Sequence, residues 1–478
     1  MFLQGAAAVA VAAWSPAARS WVPSPGPGTI SVPGLDGQLL VDAADLTAAA
    51  DDFGHIVHRT PIAVLVPASV ADIVTLVRFA RQHGLQVAGA RGIGQSHSTQ
   101  GQSEVLGGVV IDMAALATIH EINECDALVD AGVHWIDLLT ETVPLGKSPP
   151  TLTDYIDLSV GGTLSVGGIG GQAFRQGLQV DNVLELDVVT GTGELVTCSP
   201  WENTGLFEAV RAGLGQFGII VRARVRLVPV PSMVRIYTGN YDDLGTFTGD
   251  QLELVREPRP RFDFIEGSLT QGTNNAWTYQ IQVAKYFDPA SPPNDAALLA
   301  GLHFLPGSET STDVSYFDFA NQLAPTVALL QEIGAWGWQH PWLNLFIPAD
   351  QTVPFVQGIL NNTTPTDTGS GPVLLYPVNR NQFGTPFARV PDAPQSFLFS
   401  VLRFTIPGIP GLNDQLIAAN RAAYDACVAL GGKRYPIDSV PMSHADWQTQ
   451  LSPLFGAFAA AKALFDPGNV LTPGQGIF

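Results

Sequence analysis

The residues best suited to chemistry sit in and beside two glycine-rich runs. The first is Gly89-Ala90-Arg91-Gly92-Ile93-Gly94-Gln95-Ser96-His97-Ser98-Thr99-Gln100-Gly101-Gln102. Glycines at 89, 92, 94 and 101 let backbone N–H groups approach a ligand closely. Ser96, Ser98 and Thr99 add hydroxyls, and His97 is a candidate ligand or covalent attachment point. The second run opens Ser159-Val160-Gly161-Gly162-Thr163-Leu164-Ser165 and closes Gly171-Gln172-Ala173-Phe174. Two such loops on one domain can clamp an extended, phosphate-containing cofactor from both sides. Singly, each has a plainer reading, as a surface loop with an incidental histidine and as a set of turns. Two carboxylates draw attention beside them. Asp154 lies just ahead of the second run, where an Asp is more often a turn or helix cap. Glu266 follows Phe262 and Phe264 at alternate positions, which predicts one face for all three.

Other motifs carry less. Gly146-Lys147-Ser148 lacks the earlier glycine of a P-loop, since position 141 is Glu. Gly168-x-Gly170-x-x-Ala173 fits a dinucleotide pattern, but no long buried strand leads into it and no clear helix follows. The cysteines, Cys125, Cys198 and Cys427, form no CxxC pair, which excludes a disulfide scaffold and a Cys-based zinc site. No metal site is expected.

These loops need elements to position them. Ile62–Val66 reads as a buried strand between Pro61 and Pro67. A helix follows over Ala71–His83, with Ile73, Leu76, Val77 and Ala80 on one face and Gly84 as its stop. A second strand then starts at Leu85, completing a β-α-β unit. Residues 183–198 predict a hairpin around Thr190-Gly191-Thr192-Gly193. After Val228-Pro229-Val230-Pro231 the chain becomes richer in tryptophan, with Trp336, Trp338 and Trp342 close together. The expected organisation is a signal or linker over 1–35, a cofactor domain over 36–230, a second α+β domain over 231–440, and a segment over 441–478 that returns to the first.

Composition bounds the function. The 478 residues are 46% hydrophobic and carry a net charge of −20. Such a charge repels phosphate backbones and anionic membranes, so neither nucleic acid nor a membrane is an expected partner. No apolar run reaches the roughly 20 residues of a transmembrane helix. Residues 5–14 resemble the apolar part of an export signal without its basic start, so export is expected, with a soluble cytoplasmic protein as the other reading.

Several stretches together resemble flavoproteins with a vanillyl-alcohol-oxidase-type FAD domain, and more narrowly the cytokinin dehydrogenase family. In the first half these are Arg59-Thr60-Pro61, Val160–Phe174, Asn182–Gly191 and Gly213–Ile220. In the second half, His340-Pro341-Trp342-Leu343-Asn344-Leu345, Tyr376-Pro377-Val378-Asn379-Arg380-Asn381 and Leu471-Thr472-Pro473-Gly474-Gln475 match more specifically. The resemblance implies an α+β fold of two domains. It implies FAD held by Arg91, Gly92, Gly94, His97, Ser98, Gln102, Asp154, Thr163, Ser165, Gly168, Ile220 and Gln475. The family pattern Gly-His-Ser is interrupted here by Gln95-Ser96, and His-Ser-x-x-Gly-Gln resumes at His97. Two extra residues before His97 leave it as the covalent link to FAD. Aligning Gln95 with the histidine instead leaves FAD noncovalent.

The implied reaction is oxidation of an adenine cytokinin at the side-chain carbon next to nitrogen, giving adenine and an aldehyde after imine hydrolysis. Asp154 would be the catalytic carboxylate, and Glu266 would hold the purine. Trp342, Leu343 and Asn379 would line the substrate pocket, and oxygen or a quinone would take the electrons. The alternatives are oxidation of a sugar, alditol or aromatic alcohol on the same scaffold, and a noncatalytic flavin- or purine-binding protein.

Overall fold

The computed structural model describes residues 11–90, 92, 96–272 and 276–478. The first half builds the predicted β-α-β unit. Strands Ala63–Val66 and Val87–Ala90 both pair parallel to Val109–Asp112, and Gln38–Leu40 adds an antiparallel edge. The connecting helix, Val70–His83, starts at a Ser69/Asp72 capping box and ends at Gly84 with φ +64°. Its buried face is Ile73, Leu76, Val77, Phe79 and Ala80, the spacing read in the sequence.

A second sheet of five antiparallel strands packs into the same core. It contains the predicted hairpin, Val183–Thr190 with Leu195–Cys198, beside Gly218–Arg226, Asp126–Asp130 and Ile119–Ile122. The glycine-rich run after Asp154 becomes a short helix, Val160–Val166, followed by a turn-rich stretch up to Ala173.

The second half is an eight-stranded antiparallel sheet. In spatial order its strands are Thr310–Ser315, Met233–Tyr241, Trp277–Phe287, Phe264–Gln271, Val373–Asn379, Gln395–Val401, Leu343–Pro348 and Lys433–Arg434. Strand alternation gives this sheet two different faces. Leu343, Leu345, Ile347, Phe397 and Phe399 pack under helices Leu244–Arg256, Thr352–Leu360 and Leu412–Ala429. Phe346, Tyr376, Val378 and Leu398 point the other way and join the core of the first half.

Both chain ends pack on the first half. Strands Ala13–Ser15, Ser20–Val22 and Ile30–Ser31 form a small sheet. Trp14 is buried in the main core, with Trp21 at 5.0 Å, and Trp21 stacks on Phe79. The stretch expected as linker therefore carries folded structure, because two tryptophans bury more surface than a free arm leaves exposed. Most of the expected export signal lies outside the described residues. At the other end, Val470 and Thr472 hydrogen-bond the backbone of Val87, and Lys462 forms a buried ion pair with Asp466 at 2.8 Å. Cys125, Cys198 and Cys427 are all unpaired. No helix among the described residues is long and apolar enough to cross a membrane.

Candidate active site

The two glycine-rich runs face one cleft between the halves of the molecule, with about 1130 Å³ of space including its open mouth. His97, Ser98 and Gln102 line one side, and Gly161, Gly162, Thr163 and Ser165 line another. Ile220 on its strand and Gln475 near the C-terminus complete the lining with Pro436 and Ile437. Polar hydroxyls and amides at one end and apolar walls elsewhere fit a dinucleotide whose rings need apolar cover. Glycine is required around this lining. A Cβ on Gly161 would meet Ala131, and one on Gly215, at φ +69°, would meet Thr472.

Loop 96–102 is held by hydrogen bonds from below. The Gln102 carboxamide oxygen accepts from the backbone N–H of Thr99 and Gln100, and its amino group donates to the carbonyl of Asp438. Asp52 accepts from the Ser98 hydroxyl and from Gly101 N, both at 2.7 Å. Aromatic rings surround the His97 imidazole: Phe53 at 4.1 Å, Tyr155 at 5.3 Å and Trp342 at 5.4 Å.

Asp154 and Glu266, 112 positions apart in the sequence, are brought together. The backbone does this. Ile265 N donates to the carbonyl of Gly171 at 2.9 Å, which ties the Glu266 strand to the loop after Asp154. Both glycines of that loop are packed closed: a Cβ on Gly170 would stand 3.3 Å from Asp154 Oδ1, and one on Gly171 would enter the Phe264 ring. Burial raises the Asp154 carboxyl to about 7, and burial together with the charge of Asp154 holds Glu266 well above the usual carboxylate range. Neither acid has an ion-pair partner among the described residues. Two acids that share a site titrate as a pair, and each makes the other harder to ionise. The Tyr376 and Tyr435 hydroxyls are pushed up chiefly by burial, Tyr376 also by both carboxylates and Tyr435 also by Asp154.

The chain matches a family model described as cytokinin dehydrogenase, FAD and cytokinin binding, over residues 268–478, and an FAD binding domain model over residues 61–199. It is 40% identical to an uncharacterized oxidoreductase of the fasciation locus of Rhodococcoides fascians, over 92% of this chain and 99% of that one. It is 38% identical to cytokinin dehydrogenase 10 of Oryza sativa, over 90% and 87% of the two chains, and 36% identical to cytokinin dehydrogenase 2 of Arabidopsis thaliana, over 92% and 93%. The chain belongs to the cytokinin dehydrogenase family. It is an FAD-dependent amine oxidoreductase with a small-molecule substrate. The fold is also that of 6-hydroxy-D-nicotine oxidase from Arthrobacter nicotinovorans, with a TM-score of 0.69 and 24% identity over 91% of this chain and 96% of that one. The first half is thus the vanillyl-alcohol-oxidase-type FAD domain.

Within this cytokinin dehydrogenase-family fold, the expected site residues separate into three groups. His97, Ser98, Gln102, Thr163, Ser165, Ile220 and Gln475 line the cleft. Asp154, Glu266 and Trp342 are outside the lining; the Trp342 ring lies 5.4 Å from that of His97, and its Nε1 is buried with no hydrogen-bond partner among the described residues. The rest have other work. Gly168 is outside the lining, with φ +72° and its N–H donated to the Tyr435 hydroxyl. Leu343 is fully buried on the helix-covered face of the sheet, so it packs core. Asn379 donates to the carbonyls of Phe174 and Val255 and accepts from Gln395, which ties scaffold together. Phe262 precedes its strand and packs against Tyr237, away from the Glu266 face. Gly92 is buried, whereas Arg91, Gly94 and the alternative Gln95 lie outside the described residues. Sequence reasoning missed Phe53, Tyr155, Trp336, Tyr376 and Tyr435. Tyr155 was legible as the neighbour of Asp154, but the other four meet the site only through tertiary contact.

Proposed function

We propose that this enzyme oxidises the N6 side chain of an adenine cytokinin at the carbon bonded to nitrogen. The observation that carries this reading is the Asp154–Glu266 pair, two interacting carboxyls both raised above the usual carboxylate range. FAD, when bound, supplies a two-electron acceptor for the hydride lost from that carbon. Asp154 accepts the hydrogen bond, and then the proton, of the N6–H, which raises electron density at the reacting carbon. Loss of hydride from carbon and a proton from nitrogen leaves a C=N bond, and water splits it into adenine and an aldehyde. In this reading Glu266 holds a purine nitrogen, and Trp342 and Trp336 offer flat apolar walls. His97 is our choice for the covalent link to FAD, supported by its place in the cleft lining and the intact His-Ser-x-x-Gly-Gln pattern.

Anaerobic titration with isopentenyladenine tests the substrate, and bleaching of the flavin band is the expected result. Bleaching by an alditol, sugar or aromatic alcohol but not by the cytokinin would refute it. Flavin left on the polypeptide after acid denaturation tests His97; complete release would favour noncovalent FAD. Reoxidation of the reduced enzyme by oxygen and by a quinone, compared side by side, identifies the electron acceptor.

A further inference from the structure

Residues 52–54 touch the His97 loop, the His97 ring and the substrate half at once. Asp52 is 1% exposed, and its carboxylate accepts three hydrogen bonds: from Gly54 N at 3.0 Å, the Ser98 hydroxyl at 2.7 Å and Gly101 N at 2.7 Å. The backbone beside it straddles His97. Phe53 N donates to the carbonyl of Ser96 at 2.8 Å, and Gly54 N donates to the carbonyl of Ser98 at 3.1 Å. This close pairing needs glycine at 54, because a Cβ there would fall on the Thr99 backbone.

The Phe53 ring fixes the plane of the imidazole. His97 stacks on it at 4.1 Å and 12°, and His340 stacks on it at 4.0 Å and 20°. Two rings this near and this parallel must lie on opposite faces, so Phe53 is sandwiched. His340 is itself immobilised. It is fully buried, its Nδ1 hydrogen-bonds the carbonyl of Phe53 at 2.8 Å, and its N–H donates to the carbonyl of Gly54 at 2.9 Å. The substrate half therefore backs the ring against which His97 lies, while His97 still lines the cleft.

We propose that Asp52 and Phe53 are positioning residues that fix the His97 imidazole at the flavin cleft, Asp52 through the loop backbone and Phe53 through the ring plane. The inference rests on the reading that FAD occupies the cleft beside His97. Attachment at a ring nitrogen needs that nitrogen in one place, and a misplacement of about 1 Å costs up to about 100-fold in rate.

The test compares Phe53→Leu, Phe53→Tyr and Asp52→Asn with wild type. Leu keeps the apolar bulk but removes the flat face; Tyr keeps the face. Two quantities are read on the purified full chain. One is the acid-stable flavin fraction after incubation with FAD. The other is the rate at which diethylpyrocarbonate modifies the flavin-free fraction of His97, measured on peptides by mass spectrometry against His120 as internal reference. Phe53→Leu and Asp52→Asn should lower the rate of acid-stable flavin formation at least about tenfold and speed His97 modification severalfold. Phe53→Tyr should behave as wild type. A general loss of packing would not be rescued by Tyr and would not single out His97. Wild-type values for both quantities in Phe53→Leu and Asp52→Asn overturn the proposal. If wild type itself releases all its flavin in acid, the covalent role of His97 fails on its own. The clamp is then decided by the His97 modification rate alone, which must rise in both variants. Should Phe53→Leu not fold, Asp52→Asn, isosteric with wild type, decides by the same readouts.

Discussion

Replacing Asp154 by Asn removes a charge that the fold holds at a disadvantage, so it should slow catalysis and stabilise the protein together. Burial raises this carboxyl from 3.8 to about 7. The sign follows from proton binding. Between these two values the folded state binds the proton more tightly than the unfolded chain does, so stability falls as pH rises through the interval. The wild-type cost is therefore small near pH 5 and larger at pH 8, on the order of a few kcal/mol. Asn escapes this cost, so its advantage over wild type should grow by roughly 2–3 kcal/mol from pH 5 to pH 8. At about 2.1 cal/mol/K per residue, a chain of this length shifts by about 1 °C per kcal/mol, so the gain in Tm should widen by about 2–3 °C. Thermal melts at the two pH values check this. On the catalytic side, loss of the proton acceptor should slow flavin reduction by about 10²–10⁴-fold in stopped flow, with FAD content unchanged. A pH-independent difference in Tm would show that Asp154 is not held above its ordinary range. Near-normal flavin reduction would return Asp154 to a turn or capping role.

Glu266→Gln should raise KM for a purine cytokinin about 10- to 150-fold, the effect of a lost charged hydrogen bond, and leave kcat nearly unchanged. A smaller allylic amine without the purine is the control; equal losses for both substrates would contradict a recognition role. Gly171→Ala should destabilise by about 1–3 kcal/mol in a melt, because its Cβ enters the Phe264 ring. It should also reduce flavin reduction by disturbing the strand that carries Glu266. Trp14→Ala should cost about 3–5 kcal/mol if the N-terminal sheet belongs to the core as its burial indicates; denaturant unfolding measures it, and an unchanged midpoint would show the segment to be dispensable.

The parts of this molecule that were legible in its sequence are those governed by short-range rules. The Val70–His83 helix follows from apolar spacing and its stop at Gly84, and the 183–198 hairpin from β-rich runs around a glycine turn. The glycine-rich loops followed in the same way, and with them most of the cleft lining. Side-chain direction in the second half was less legible. Leu343 and Trp342 are neighbours in one motif, yet one is core and the other reaches His97, as strand alternation demands. Asn379 has the chemistry of a pocket anchor, but three scaffold groups already use its amide. Nor does anything near Phe53 in sequence announce that His97 and His340 will close on its ring from opposite sides.

The treatment of buried acids elsewhere in the fold shows why the Asp154–Glu266 pair needs a functional explanation. A buried carboxylate is costly unless paired or hydrogen-bonded, and this chain meets that cost with specific partners. Asp466 has Lys462 and two backbone N–H groups; Asp438 has Arg434; Asp250 has His303 and the Tyr241 hydroxyl. Asp52 has three donors from the loop it braces. Even Glu104, pushed to about 8 by burial, accepts from Arg59 N through one oxygen. Asp154 and Glu266 have no such arrangement among the described residues, and each makes the other harder to ionise. A pair of this kind lowers stability at neutral pH, and a hydrophobic replacement would relieve it. A ligand seated beside them can supply the partners the chain does not. A ligand that offers N–H donors to one carboxylate and an acceptor to one protonated acid satisfies both at once. On the proposed reading the aminopurine of a cytokinin is that ligand, and the flat apolar wall at Trp342 suits its ring.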